Sequence, residues 1–286
     1  KLLAGVPMET DFANPRFRYD ASISSNWFLH IRIPTTITGY FERFIIYEDY
    51  KNYDKSIDRF GANFKQRIQM KNRSYIENKI VWEEFSDKSE TNIQERSLLS
   101  RIYFDRKDDP LFTKKGYALD FIFKSTGFGG SREYFKTDVT IQSYYPTSRK
   151  SVFALRMQLG KMWKWDDDYN DYSYEKFYLG GSTSMRGWEV LRFSENEQNE
   201  PNGETMRIMT NIEIRQKLYK SFGITLFADG GLLSITFPNN IFKELQWDLG
   251  FGFTYDTPLG PIRLDYAVQL DDMNTRLINI GIQNLF

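Results

Sequence analysis

Pro261-Ile262-Arg263-Leu264-Asp265-Tyr266-Ala267-Val268-Gln269-Leu270-Asp271 sets Ile262, Leu264, Tyr266, Val268 and Leu270 on one face and Arg263, Asp265, Ala267, Gln269 and Asp271 on the other. A period of two is the period of a β-strand, whose successive side chains point to opposite faces. Working outward, Trp247–Asp256 repeats the pattern, with Trp247, Leu249, Phe251, Phe253 and Tyr255 against Asp248, Gly250, Gly252, Thr254 and Asp256. Thr205–Leu218 does so again, with Met206, Ile208, Thr210, Ile212 and Ile214 against Arg207, Met209, Asn211, Glu213 and Arg215. The wet face carries full charges and glycines, as a hydrated lumen would. A soluble sandwich would turn two apolar faces on each other, with fewer bulky aromatics at its strand ends. The expected fold class is therefore all-β, an antiparallel transmembrane β-barrel.

Composition agrees with that reading and narrows the function. Aromatic residues make up 17% of the 286-residue chain, as 24 Phe, 18 Tyr and 6 Trp, yet mean hydropathy is −0.55. No run approaches the roughly 18 apolar residues of a membrane helix. Such a chain crosses a bilayer with strands, which need apolar residues only at every second position. The 38 basic residues balance 38 acidic ones, giving no electrostatic reason to expect nucleic acid. Cysteine is absent and histidine occurs once, at His30, which leaves no disulfide framework, thiol chemistry or histidine triad; His30 reads as structural. No nucleophile and base can be paired, so the expectation is a non-enzyme without cofactor or metal. Asp166-Asp167-Asp168 with Asp171 lacks the ligand spacing of a calcium loop, and Gly127-Phe128-Gly129-Gly130 lies between strands, where a phosphate cradle is not expected. Lys1 does not open a secretory signal peptide, so a mature fragment is expected.

Twelve strands are expected at 36–48, 56–70, 74–86, 94–104, 116–126, 132–145, 150–164, 204–219, 222–232, 244–256, 260–271 and 275–286. Their connections alternate between short turns and longer polar loops, with 105–115 a long exception on the short side. Outer-membrane barrels are built this way, and the phase puts the C-terminus on the periplasmic, short-turn side. Residues 1–35 are less regular. Arg16–Ser24 and Trp27–Ile33 read as two short strands around Ser25-Asn26, and Leu2–Glu9 as part of a third, for a total of fourteen or fifteen.

The longest loop holds Phe177-Tyr178-Leu179-Gly180-Gly181-Ser182-Thr183-Ser184-Met185-Arg186-Gly187-Trp188. Gly180, Gly181 and Gly187 admit backbone conformations closed to other residues. A loop of this length is usually functional or disordered, and one rich in Gly, Met and Trp is poorly suited to float in water. An arginine folded inside needs acceptors, because an unpaired buried charge costs several kcal/mol. Glu213 and Asp229, on the wet faces of the next two strands, are the expected partners of Arg186.

This loop resembles the F-x-x-G-G-x-x-x-x-R-G-aromatic motif of the BamA/TamA outer-membrane protein-assembly family. Four further stretches agree in order. Asp105-Arg106-Lys107-Asp108-Asp109-Pro110 through Gly116 resembles the family's D-x-R-D-x-P … G turn, with one extra residue. Thr210-Asn211-Ile212-Glu213 is similar to the strand that holds its glutamate, and Phe227-Ala228-Asp229-Gly230-Gly231 to its F-x-D-x-G strand. Gly250-Phe251-Gly252 with Thr257-Pro258-Leu259-Gly260-Pro261-Ile262-Arg263-Leu264-Asp265-Tyr266-Ala267 resembles its G-x-G … P-x-G-P-x-R-x-D-Y-A strand pair. The end, Ile280-Gly281 to Phe286, resembles a terminal aromatic barrel signal. The five stretches cover roughly residues 100–286; residues 1–95 carry alternation alone.

The resemblance implies a 16-stranded barrel over residues 1–286, whose loop, between strands eleven and twelve, folds into the lumen through Gly180, Gly181, Arg186, Gly187 and Trp188. The first strand is then missing or disguised in residues 1–15, and the soluble periplasmic domains that family members carry are not read in this chain. The implied function is folding and insertion of outer-membrane β-barrel proteins through a lateral seam between the first and last strands, in a Gram-negative outer membrane. The implied partners are unfolded outer-membrane proteins as clients, the lipid bilayer, and accessory assembly proteins or a periplasmic partner. Ile278, Ile280, Gly281, Ile282 and Phe286 form the terminal seam strand, with the isoleucines and Phe286 sharing a lipid face. Two alternatives stand beside it: a two-partner-type pore that secretes a protein through the barrel, and the membrane anchor of a larger fused passenger.

Overall fold

A computed structural model describes residues 2–4, 17–45, 56–87, 92–164, 175–258, 260–282 and 285–286. They form strands β1 (Leu2–Ala4), β2 (Phe17–Ser25), β3 (Thr35–Ile45), β4 (Ser56–Gln69), β5 (Tyr75–Asp87), β6 (Asn92–Asp105), β7 (Gly116–Thr126), β8 (Tyr134–Pro146), β9 (Ser151–Lys164), β10 (Met206–Tyr219), β11 (Phe222–Ser234), β12 (Gln246–Thr257), β13 (Gly260–Gln269) and β14 (Arg276–Ile282). One short helix, α1 (Ile241–Glu244), lies between β11 and β12. The fourteen strands are hydrogen-bonded in chain order within one sheet. Neighbours pair antiparallel, as in β10 with β11, where Asn211 faces Asp229 and Glu213 faces Phe227.

The twelve expected strands from residue 36 onward all form, with ends that differ by a few residues. The N-terminal part differs more. Trp27–Ile33 is a connection, not a strand, because β2 and β3 pair up to Ser25 opposite Thr35 and leave 26–34 as their link. That link is closed by paired hydrogen bonds between Phe28 and Ile31, with Leu29 at a positive φ of 53°. Of the expected Leu2–Glu9 strand, Leu2–Ala4 pairs with β2 and the rest lies outside the described residues, as do Arg16, most of residues 1–15 and the Asp166–Asp171 acidic run. Fourteen strands, not sixteen, are present among the described residues.

The chain divides into two compact units, Lys1–Ile102 with Ile122–Thr137 and Met162–Tyr174, and Tyr103–Phe121 with Asp138–Lys161 and Glu175–Phe286. Within each, burial is the reverse of that in a water-soluble sheet. In the first unit Tyr40, Asn63, Glu83, Glu95 and Arg132 are buried, whereas Ile37, Phe60, Ile80 and Trp82 are exposed. Its inner charges are paired: Glu42 receives Arg18 and Arg59, Tyr40 donates to Glu83, and Glu95 receives Arg132, Lys124 and Tyr134. In the second unit Asn211, Asp229 and Asp248 are wholly buried, whereas Leu249, Phe251, Phe253, Ile262 and Leu264 are each about half exposed. Water would penalise that outer face and hydrocarbon would not, so the burial pattern itself requires an apolar surrounding.

The long β6–β7 connection has a local cause. Its aspartates saturate backbone donors that a tight hairpin would have paired. Asp108 Oδ1 accepts from the amides of Asp109, Lys114 and Lys115, and Asp109 Oδ1 from those of Leu111 and Phe112. Slight desolvation acts to raise the Asp108 pKa, but these amides outweigh it and hold the exposed carboxyl below its usual range.

Candidate functional site

The loop between β9 and β10 is shaped first by its glycines. Gly180 and Gly181 sit at φ 114° and 91°, where side chains strain the backbone, and a Cβ on Gly180 would lie 2.1 Å from the Glu189 carbonyl. The loop then closes on itself. The Gly181 amide donates to the Trp188 carbonyl at 2.8 Å, and the Ser184 hydroxyl accepts from the Gly180 amide and donates to the Gly180 carbonyl. Leu179, Met185 and Trp188 pack with Met209 of β10 into a small buried apolar cluster, with Phe193 and Leu233 against it. These contacts orient Arg186 onto the polar face of β10–β14.

Arg186 is completely buried, and its guanidinium meets two carboxylates. Nε and Nη2 donate to the two oxygens of Asp229 at 2.7 and 2.8 Å, and Nη1 donates to Glu213 Oε1 at 2.7 Å. Asp265 Oδ2 lies 3.7 Å from Nη1, and the guanidinium carbon sits 3.4 Å from the centre of the Phe227 ring. Two-pronged pairing of this kind is geometrically specific, and lysine does not reproduce it. Strand register supplies the partners. Arg156, Asn211, Asp229, Asp248 and Gln269 face one another across β9–β13 as one row, and Ala154, Glu213, Phe227, Gly250 and Ala267 form the next inward row. Gly250 leaves room for the Phe227 ring, since a Cβ there would lie 2.2 Å from Cζ of that ring.

The loop backbone is held as firmly as its arginine. Arg263 donates to the Ser182 carbonyl, Arg156 to that of Thr183, Asn211 to that of Ser184, Asn279 to that of Arg186 and Gln269 to that of Gly187. The Gly187 amide donates to Asp248 Oδ2 at 2.8 Å, and the absence of a side chain permits this approach, because a Cβ would lie 2.6 Å from Asp248 Cβ. Arg215 pairs with Glu213 and Arg263 with Asp265. The network thus contains four guanidiniums, Arg156, Arg186, Arg215 and Arg263, and four carboxylates, Glu213, Asp229, Asp248 and Asp265. Pairing of the buried charges is the condition for stability where water is excluded.

The structure therefore brings Gly180, Gly181, Arg186, Gly187, Trp188, Glu213 and Asp229 into one assembly. Sequence reasoning omitted Asp248, Asp265, Asn211 and Gln269, although all four lie on wet faces and three of them, Asn211, Asp248 and Gln269, share the row of Asp229. It also omitted Arg156 and Asn279, which no local pattern marks. The terminal strand is only partly as expected. Ile278, Ile280 and Ile282 are outward and at least 70% exposed, and Gly281 packs beside the Arg263 guanidinium. Phe286 does not share their face. Leu285 and Phe286 lie against Tyr144, Arg156 and Arg215 on the polar side, where Arg156 donates to the Leu285 carbonyl, Arg215 to the Phe286 carbonyl oxygen, and both guanidiniums lie near the Phe286 ring.

Comparison with known proteins agrees with this architecture. A SAM50-like protein of Schizosaccharomyces pombe is 24% identical over 196 residues, covering 63% of this chain and 41% of that protein. The crystal structure of BamA from Haemophilus ducreyi lacking POTRA domains 1-3 superposes with a TM-score of 0.74 at 12% identity, over 94% of this chain and 61% of that one. CdiB from Acinetobacter baumannii gives a TM-score of 0.55 at 11% identity, over 96% and 51%. The chain thus spans less than two thirds of each of these relatives. The Omp85 superfamily domain model matches residues 7–284. Family model, fold and inverted burial agree that this is an outer-membrane β-barrel of the BamA/TamA type, and the chain belongs to the Omp85 superfamily.

Proposed function

We propose that this chain is the barrel of an outer-membrane protein-assembly factor, with the 177–188 loop seated in the lumen as a structural plug and a full complement of sixteen strands. Its clients are unfolded outer-membrane proteins, and it works with the bilayer and with accessory or periplasmic assembly partners in a Gram-negative-type membrane. The observation that carries the reading is the Arg186 assembly: a buried polar network ties the loop to six consecutive strands, β9–β14, and it sits in an Omp85 family match. No chemical step is needed. A client strand adds to an exposed edge by β-augmentation at the seam between the first and last strands. An unpaired edge in lipid is costly, so the seam stays nearly closed or occupied. β14 suits that role because it carries three outward isoleucines over Arg276–Ile282, and a short seam would let the bilayer thin beside it.

The test is a disulfide-forming cysteine pair joining the first strand to Arg276–Ile282. Locking the seam is expected to abolish client insertion and reduction to restore it; insertion unaffected by locking would refute lateral opening. Similarity to CdiB supports a second reading, a two-partner-type secretion pore. Channel conductance with secretion of a dedicated substrate, and normal barrel insertion when the chain is depleted, would favour that pore.

A further inference from the structure

The link between β2 and β3 is the apolar exception among the short connections. It holds Trp27-Phe28-Leu29-His30-Ile31, where the β4–β5 and β8–β9 turns hold Lys71-Asn72-Arg73 and Thr147-Ser148-Arg149-Lys150. Its apolar side chains are open to the surroundings: Trp27 is 56%, Leu29 80% and Ile31 61% exposed. Leu29 also sits at φ 53°, a left-handed conformation that Gly or Asn enters at lower cost. A turn made for water has no use for a leucine there, nor for so many apolar neighbours.

The link is folded against the outer wall of the sheet. The Phe28 ring meets Phe64 of β4 edge-on, with centroids 5.5 Å apart. Phe64 stands opposite Ile37 in the β3–β4 register, and Ile37 is exposed on the outward apolar face with Phe60. Thr35, two residues before Ile37 and on the same face, is nevertheless buried. Its hydroxyl donates to the Ile33 carbonyl at 3.0 Å and accepts from the Gln66 side-chain amide at 3.4 Å. The link therefore turns back over the wall and covers a polar pair that would otherwise share the surroundings of Ile37. Its own backbone is closed as well. Phe28 and Ile31 exchange both amide–carbonyl bonds, the Ile33 amide donates to the Ile31 carbonyl, the Trp27 amide to the Ser25 hydroxyl, and the Pro34 carbonyl accepts from the Arg67 amide. Backbone groups satisfied within the protein are what a segment withdrawn from water requires.

We propose that the 26–34 link is an interfacial membrane anchor that lies beside the sheet at the boundary of lipid headgroups and acyl chains. Trp27, Leu29 and Ile31 enter the edge of the acyl region, and His30 and Arg32 stay at headgroup level. The occupant of this surface is lipid, because the Phe28–Phe64 contact joins it to the wall that carries Ile23, Ile37 and Phe60, whose exposure already requires an apolar surrounding. Two features set the depth at the interface and not at the bilayer centre. An indole favours the interface, where its N–H stays wet, and the exposed imidazole and guanidinium at 30 and 32 reach water or phosphate from there. Such an anchor fixes the depth at which the β2–β3 pair sits in the membrane. The inference does not depend on whether the chain inserts or secretes proteins.

The chain holds no cysteine, so Leu29→Cys accepts a single nitrobenzoxadiazole label. With the purified chain in phosphatidylcholine vesicles, the probe is expected to be quenched more by lipid carrying a nitroxide near the headgroup than by lipid carrying it at the chain end, which corresponds to a depth of about 5–10 Å into the headgroup and acyl boundary. It is also expected to resist aqueous iodide. The same label at Ser148→Cys, on the polar β8–β9 turn, is expected to be quenched several-fold more strongly by iodide and by neither lipid. Adding Trp27→Ser and Ile31→Ser, both outside the strands, tests whether the link's own side chains hold the probe: the Leu29 label is then expected to gain iodide quenching toward the Ser148 level. Iodide quenching at Leu29 equal to that at Ser148 would put the link in water, and shielding from iodide without quenching by either lipid would put it against protein. Either result overturns the proposal, as does a probe depth unchanged by the Trp27 and Ile31 replacements.

Discussion

Replacing Arg186 by alanine removes three charge-assisted hydrogen bonds of 2.7–2.8 Å and the cation above the Phe227 ring. The two acceptors suffer unequally. Glu213 keeps Arg215 on its other oxygen at 2.7 Å, so half of its compensation survives. Asp229 keeps only neutral donors, the Asn211 side-chain amide on Oδ1 and the residue 186 backbone amide on Oδ2, and faces Asp248 across the β11–β12 register. The cost therefore concentrates on Asp229, a wholly buried carboxylate left beside another. Breaking a buried pair from one side costs about 3–5 kcal/mol, and that is the expected loss for Arg186→Ala. Asp229→Asn in the same chain removes the orphaned charge, so the double variant should recover at least about 1 kcal/mol, within the usual range for directly coupled groups. The measurement is reversible urea unfolding in lipid vesicles for wild type, both single variants and the double. A loss below about 1 kcal/mol for Arg186→Ala, the range of an exposed ion pair, would refute the buried-network argument. Additive single effects would refute the assignment of the cost to Asp229.

Two further perturbations separate other parts of the argument. Gly187→Ala places a Cβ 2.6 Å from Asp248 Cβ, so the loop must lift; a stability loss of about 1–3 kcal/mol is expected, and a variant as stable as wild type would show that the close approach is not needed. Phe251→Lys puts a charge on the outward apolar face of β12, where a lipid-facing site at mid-depth loses about 2–4 kcal/mol. Unfolding in vesicles measures it, and no loss would mean that the face is not in hydrocarbon.

Much of the fold could be read from the chain because a strand's period is short and its two faces meet different solvents. Trp247–Asp256 and Pro261–Asp271 show this directly, since aromatic and aliphatic residues alternate with charges and glycines and the exposed and buried faces follow that alternation. The same reading failed at Trp27–Ile33, an apolar stretch that local pattern cannot distinguish from a strand. Pairing of β2 with β3 uses up the register at Ser25 and Thr35 and makes it a link. It also placed Phe286 outward with the isoleucines of β14, because a period carries no information on tertiary partners, and Tyr144, Arg156 and Arg215 meet Phe286 on the polar side.

Sequence alone thus marked the loop, its glycines and the need of Arg186 for acids, because those follow from residue chemistry and from the cost of burying a lone charge. Which groups answer that need is a tertiary matter. Asp248, Asp265 and Gln269 reach the loop only because strand register lines them up across β12 and β13, and Arg156 and Asn279 only because the loop crosses the polar face to meet them. Alternation says which way a side chain points. Only the path of the backbone says what it points at, since groups 93 residues apart, such as Arg186 and Asn279, become neighbours through the fold and not through the sequence.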